Sequence, residues 1–197
     1  SLYGEKIAEV PITLHKDGRI AHPPHLKTVR DGWRTLRFFL LYSPRWLFLI
    51  PGLLLIAAGL AGYLLAMPRR EIGGLIFDAH TLLYASLAIL CGYQAVLFAV
   101  FTKTFAMNEG LMPEDPRMMK AFRLVTLETG AIAGLAGLGL GLGLLIAAVH
   151  FWQETGFGRL DYAQTMRWVI PGATLTALGF QTLLSSFFIS VLGMKRK

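Results

Sequence analysis

The sequence predicts an all-α integral membrane protein of four transmembrane helices, with amphipathic interfacial helices and a short N-terminal strand. Two observations carry this. The chain of 197 residues is 54% hydrophobic, and Asp, Glu, Lys and Arg are missing from four blocks. These are 23 residues between Arg45 and Arg69, 24 between Asp78 and Lys103, 25 between Glu128 and Glu154, and 27 between Arg167 and Lys195. Each exceeds the roughly 20 residues an α-helix needs to cross a ~30 Å hydrocarbon layer. The predicted spans are 46–68, 79–102, 129–152 and 168–194, within a membrane domain over 45–197. The second observation is charge asymmetry. With the N-terminal segment, the second loop and the tail on one side, that side holds fifteen Lys and Arg, and the other has only Arg69, Arg70, Arg159 and Arg167. By the positive-inside rule both termini are cytoplasmic, in what reads as a bacterial inner membrane.

The net charge of +7 therefore faces anionic headgroups. Nucleic acid is not an expected partner, because the basic residues adjoin spans and no nucleic-acid motif accompanies them. No block resembles a removable signal peptide, since the first begins after 45 residues and all are too long. The single cysteine, Cys91, excludes an intrachain disulfide and reads as a packed thiol.

In chain order, residues 1–26 are unlike the rest. Ala8, Val10, Ile12 and Leu14 alternate with Ile7, Glu9, Pro11 and Thr13, which is strand periodicity, and Pro11 confines the strand to an edge or an end. One strand cannot satisfy its own backbone. Together with the missing initiating Met, this leads us to expect the C-terminal part of a longer polypeptide. HKDGRIAHPPH, residues 15–25, is a turn-rich linker. His22 and His25 bracket two prolines without Cys or helical i,i+4 spacing, so no metal site is predicted.

Residues 27–44 read as an amphipathic juxtamembrane helix. At 100° per residue Arg30, Arg34 and Arg37 fall within about 80° of arc, with Trp33, Leu36, Phe39 and Leu40 covering much of the other side. Phe38 and Leu41 lie near the basic stripe, as for a helix that also touches protein. Pro44 breaks the helix, and Arg45 with Trp46 marks entry into the bilayer.

Three segments then carry a family resemblance: Glu9 to Thr13, Arg30-Asp31-Gly32-Trp33-Arg34, and Ser43-Pro44-Arg45-Trp46-Leu47-Phe48. In this order, ahead of transmembrane helices, they resemble the C-terminal part of membrane-anchored family 2 glycosyltransferases that act on polyprenyl or dolichyl phosphate. The resemblance implies a preceding GT-A catalytic domain, of which the N-terminal strand is the end. That domain would carry an Asp-x-Asp motif, a nucleotide-sugar site and a bound Mg or Mn. No Asp-x-Asp occurs in this chain, so no catalytic or metal residue is assigned here. Many members carry Arg-x-x-Gly-x-Ser-Lys, whose Arg and Ser bind the lipid phosphate. Here the spacing is Arg30-x-Gly32, with Arg34 and Thr35 following, and either Arg30 or Arg34 can stand as the ligand.

The physical requirement is independent of the resemblance. A polyprenyl phosphate keeps its chain in lipid and its anionic head at the interface, so its ligands must be cations at headgroup depth. A guanidinium donates two hydrogen bonds at once to phosphate. Arg30, Arg34, Arg37 and Arg45 are the candidate lipid-phosphate residues. The plainer alternative is nonspecific attraction to anionic lipid, about 1 kcal/mol per basic residue near the surface.

Further along, Pro51 sits in the first turn of the first span, and Gly52, Gly59 and Gly62 permit close helix contacts. His80 and His150 fall at the outer interface. Gln94 lies in mid-membrane, where its amide needs a partner helix. In the inner loop, Phe105–Met112 and Met118–Leu127 read as short interfacial helices around a turn at Gly110–Pro116. Glu114 and Asp115 are adjacent and do not form a general acid/base pair. The third span carries Gly130, Gly134, Gly137 and Gly141 within about 60° of arc, with Gly139 and Gly143 opposite. Such a helix is central in the bundle or at a subunit contact, and a homo-oligomer is expected. The fourth span starts with Trp168 and Pro171, and Thr174, Gln181 and Ser185 form a polar seam within about 40°.

The expected function is membrane anchoring and acceptor presentation for a transferase that moves a sugar from a nucleotide-sugar to polyprenyl phosphate at the cytoplasmic face, in cell-envelope synthesis. Its partners would be membrane lipid, polyprenyl phosphate and its own GT-A domain. The alternatives are a four-span flippase or transport subunit for lipid-linked sugars, and a structural scaffold without a ligand.

Overall fold

The structure is a computed structural model that describes residues 8–13, 28–68, 71–72, 74–113, 115–116 and 126–194. It is all-helical apart from one two-residue ladder among these residues. Helix α1 (Thr28–Tyr42) leads through a π-helical turn (Arg45–Leu49) into α2 (Ile50–Ala66). The small hairpin β1 (Glu71–Ile72) and β2 (Leu75–Ile76) follows, then α3 (Ala79–Asn108), α4 (Leu127–Glu154) and α5 (Tyr162–Leu192). Among the described residues four helices, Arg45–Ala66, Ala79–Asn108, Leu127–Glu154 and Tyr162–Leu192, are long and apolar enough to cross a membrane. Residues 8–13 lie in neither helix nor ladder, and Val10 and Ile12 are exposed. The rest of the predicted strand and the linker, together with Met118 to Val125 of the second predicted interfacial helix, lie outside the described residues.

The helices are inverted relative to a water-soluble bundle. Large apolar side chains such as Leu54, Leu64, Leu140, Ile146 and Phe187 face outward, while small residues such as Ala66, Ala79, Ala85, Ser86 and Ala99 are buried. Lipid tails are as apolar as leucine, so large side chains gain nothing by turning inward, and close backbone packing holds the helices together.

The packing order is α2 on α3, α3 on α5, and α5 on α4. Gly52 and Gly92 face each other across the first of these contacts: a β-carbon on Gly52 would lie 2.8 Å from the Gly92 carbonyl oxygen. Across the last, Gly130, Gly134, Gly137 and Gly141 of α4 meet Ser186, Leu183, Gly179 and Thr176 of α5. Gly139 and Gly143 look onto open space. The middle contact is polar. The Tyr63 hydroxyl shares hydrogen bonds with Ser86 Oγ (2.6 Å) and Thr174 Oγ1 (3.3 Å), joining α2, α3 and α5. Tyr93 bonds Thr182 across α3 and α5 at 2.7 Å.

Cys91 is exposed and not the packed thiol expected, and three local features also differ from the sequence reading. Phe105–Asn108 continue α3 instead of opening a separate interfacial helix. No breaker occurs before Gly110, whose φ of +68° ends the helix, and Leu111 N–H caps the Ala106 carbonyl at 2.8 Å. The last helix starts at Tyr162, because Asp161 Oδ1 accepts from Gln164 N–H at 3.2 Å and caps it. Pro171 therefore lies inside α5, where it withholds the N–H that the Arg167 carbonyl would accept. Finally, the loop between α2 and α3 pairs Glu71 with Ile76 and Ile72 with Leu75, turning at Gly74 with φ +82°.

Candidate functional site

The candidate site begins with the break between α1 and the first span. Ser43 N–H donates to the Phe39 carbonyl at 2.8 Å and closes α1. Pro44 has no N–H to continue the ladder, and the chain re-enters helix through a π-turn in which Ile50 N–H reaches back to the Arg45 carbonyl. Both α1 and this turn pack on α3, where Phe48 meets Phe98 edge-on at 4.7 Å.

On α1, Arg30, Arg34 and Arg37 are all exposed, and their spacing of four and three residues sets them on one face. Trp33, Leu36, Phe38 and Phe39 are exposed as well. Thr35 donates its hydroxyl to the Asp31 carbonyl at 2.9 Å. Arg45 is exposed but lies beyond the Pro44 break, so it stands on the first span and not with the other three.

Other polar groups are already engaged. Lys103 forms an ion pair with Asp115, and Asn108 donates to the Leu192 carbonyl, fastening the C-terminal end of α3 to that of α5. The partner of Lys103 had no signal in the sequence, since Asp115 lies in an aperiodic turn. At the opposite end, Arg167 donates to the Ala66 carbonyl (3.3 Å) and to Asp78 Oδ1 (3.2 Å), holding the ends of α2, α3 and α5 together. Opposite charges at the edges of two spans were the available signal for that pair. His150 pairs with Glu154 one turn on, both exposed, and His80 lies 6.4 Å from the Tyr162 ring. A cavity of about 340 Å³ opens near Ala147, Phe151, Gln164 and Trp168, at the end of the bundle away from α1, and includes none of the arginines. Among the described residues no three His, Cys, Asp or Glu side chains gather as a metal site.

Four apolar helices packed through small residues, with a cation-bearing helix leading into the first, define an integral membrane domain. Comparison bears on the family. Residues 100–193 match the glycosyltransferase family 2 C-terminal transmembrane region. The chain is also 32% identical over 191 residues to the low-salt glycan biosynthesis hexosyltransferase Agl6 of the archaeon Haloferax volcanii. That alignment takes in 95% of this chain and 44% of the relative, so the chain spans less than half of the relative's length. No solved structure matches.

Proposed function

We propose that this chain is the membrane anchor and acceptor-presenting region of a glycosyltransferase that moves a hexose from a nucleotide-sugar to polyprenyl phosphate at the cytoplasmic face of the plasma membrane. The observation that carries it is the row of exposed guanidinium groups on α1, joined through Pro44 directly to the first span. In this reading α1 lies along the membrane surface with its aromatic side chains in the headgroup region. Arg30 and Arg34, with Arg37 and Arg45 nearby, then meet the lipid phosphate at headgroup depth. Charge-assisted, two-pronged hydrogen bonds favour arginine for that task.

Sugar transfer itself belongs to a preceding GT-A domain. That domain would supply the nucleotide-sugar site and hold Mg or Mn, for which this chain offers no ligand cluster among its described residues. The uncovered Val10 and Ile12 fit a segment that pairs with that domain. Both termini are cytoplasmic in this arrangement, in keeping with the fifteen-to-four distribution of cations.

The test is Arg30→Ala combined with Arg34→Ala in the intact enzyme. Loss of the acceptor-phosphate contacts raises the KM for polyprenyl phosphate about tenfold or more, taking at least 1.5 kcal/mol for a hydrogen bond to a charged group. The KM for the nucleotide-sugar stays unchanged. An unaltered acceptor KM would remove the proposed role and leave α1 as a general anchor.

A further inference from the structure

The mid-membrane glutamines are not accounted for by the packing within one chain. Gln94 stands near the middle of α3, a helix of 30 residues and thus about 45 Å long. It is exposed, and no hydrogen bond reaches its amide among the described residues. It also belongs to an outward stripe with Leu83, Leu87 and Cys91, at steps of four, four and three residues. Gln181 sits midway between Arg167 and Lys195, and its Oε1 is buried without a partner.

These two amides flank one seam. Gln94 follows Tyr93 and Gln181 precedes Thr182, and Tyr93 and Thr182 are hydrogen-bonded, so the glutamines share one depth. Each also precedes by seven residues a member of the Phe101–Phe188 ring pair, whose centroids are 4.8 Å apart. Seven residues rotate a helix by only about 20° from register, so both amides lie on the flank of the α3–α5 pair where those rings touch.

An amide facing hydrocarbon needs a partner, because lipid tails offer neither donor nor acceptor. A polyprenyl phosphate supplies none here, since its polar group stays at the interface. Cytoplasmic parts of the protein do not reach this depth. A bond from Gln94 to the buried Gln181 Oε1 within the chain would use one Gln94 N–H and leave its second N–H and its carbonyl oxygen facing lipid. A second copy of this chain supplies the complement, because a carboxamide is at once donor and acceptor and satisfies its own image across a twofold axis.

We propose that two copies of this chain dock along the outward face of α3, with Gln94 of each hydrogen-bonded across the twofold axis beside Gln181. This moves the expected self-contact from the glycine-rich α4 to α3, because Gly130, Gly134 and Gly141 are already consumed by α5 within one chain.

Cysteine cross-linking of the full chain in native membranes tests it. Cys91→Ser provides the background, and Leu87→Cys places a thiol two turns from Gln94 on the same stripe. Leu140→Cys on the exposed face of α4 is the comparison. Oxidation should give a disulfide-linked dimer with Leu87→Cys and monomer with Leu140→Cys. Adding Gln94→Leu to Leu87→Cys should weaken dimerisation about eightfold, as for two symmetry-related interhelical hydrogen bonds of ordinary strength in lipid. Gln94 is exposed, so this change leaves the fold intact, to be verified by unchanged circular dichroism. Dimer at Leu140→Cys alone would overturn the proposal in favour of the Gly139–Gly143 face. Cross-linking at Leu87→Cys that ignores Gln94→Leu would overturn it as well, leaving the amides to one another within a chain.

Discussion

Gly179→Ala is the perturbation that most directly questions the packing of α4 on α5. A β-carbon at Gly179 would collide with Leu138 N, and would lie 2.7 Å from the Gly134 carbonyl oxygen and 2.8 Å from Gly137 C. Comfortable carbon contacts fall near 3.5–4.0 Å, so the shortfall is about 1 Å. All three obstacles are backbone atoms of one helix, and none can rotate away as a side-chain tip would. The two helices must separate, and a gap of 0.5–1 Å already forfeits roughly a quarter to a half of each contact along the seam. Overpacking of this kind costs about 1–3 kcal/mol, and backbone obstruction places Gly179→Ala at the upper end. Gly143→Ala is the matched comparison, because nothing lies within 4 Å of its β-carbon and alanine is the better helix former. The assay is denaturant unfolding of the purified chain in mixed micelles, followed by tryptophan fluorescence, since Trp152 and Trp168 lie at one end of this pair. Gly179→Ala should be less stable than Gly143→Ala by about 2 kcal/mol or more. Equal stabilities would refute the close approach of α4 and α5 on which the fold rests.

Other substitutions probe single joints. Arg167→Leu removes the clamp on the Ala66 carbonyl and on Asp78; the Arg167 and Asp78 side chains are 16% and 38% exposed. It should lower stability by about 1–3 kcal/mol, less than a fully buried pair would lose because water still reaches Asp78, as thermal unfolding in detergent would record. Tyr63→Phe deletes the hydroxyl shared by Ser86 and Thr174. A loss of about 1 kcal/mol is expected from two interhelical bonds of ~0.6 kcal/mol each, and a double-mutant cycle with Thr174→Val should show coupling between the two sites. Asp161→Ala removes the cap of α5 at the cost of about 1 kcal/mol, readable as faster amide exchange over Tyr162–Thr165 with the rest of the helix unchanged.

Some of these features were legible before folding was considered. The apolar blocks name the spans because hydrocarbon excludes charge regardless of neighbours, and the arc of Gly130, Gly134, Gly137 and Gly141 follows from helical pitch alone. The row of Arg30, Arg34 and Arg37 on α1 is visible for the same reason. Ends were less legible: α3 outruns its apolar block to Asn108 and α5 begins six residues before its own, because helix boundaries obey caps such as Asp161 and Gly110 and not hydropathy.

What the chain determines alone, then, is the number of crossing helices and which residues share each face, since both depend on local periodicity and the dielectric of the bilayer. Only the tertiary structure decided which face meets which helix. It set Gly179 of α5 against the α4 glycines, placed Arg167 over the ends of α2 and α3, and turned Gln94 outward. Those outcomes depend on the fit of two surfaces far apart in sequence, and pitch carries no information about the partner.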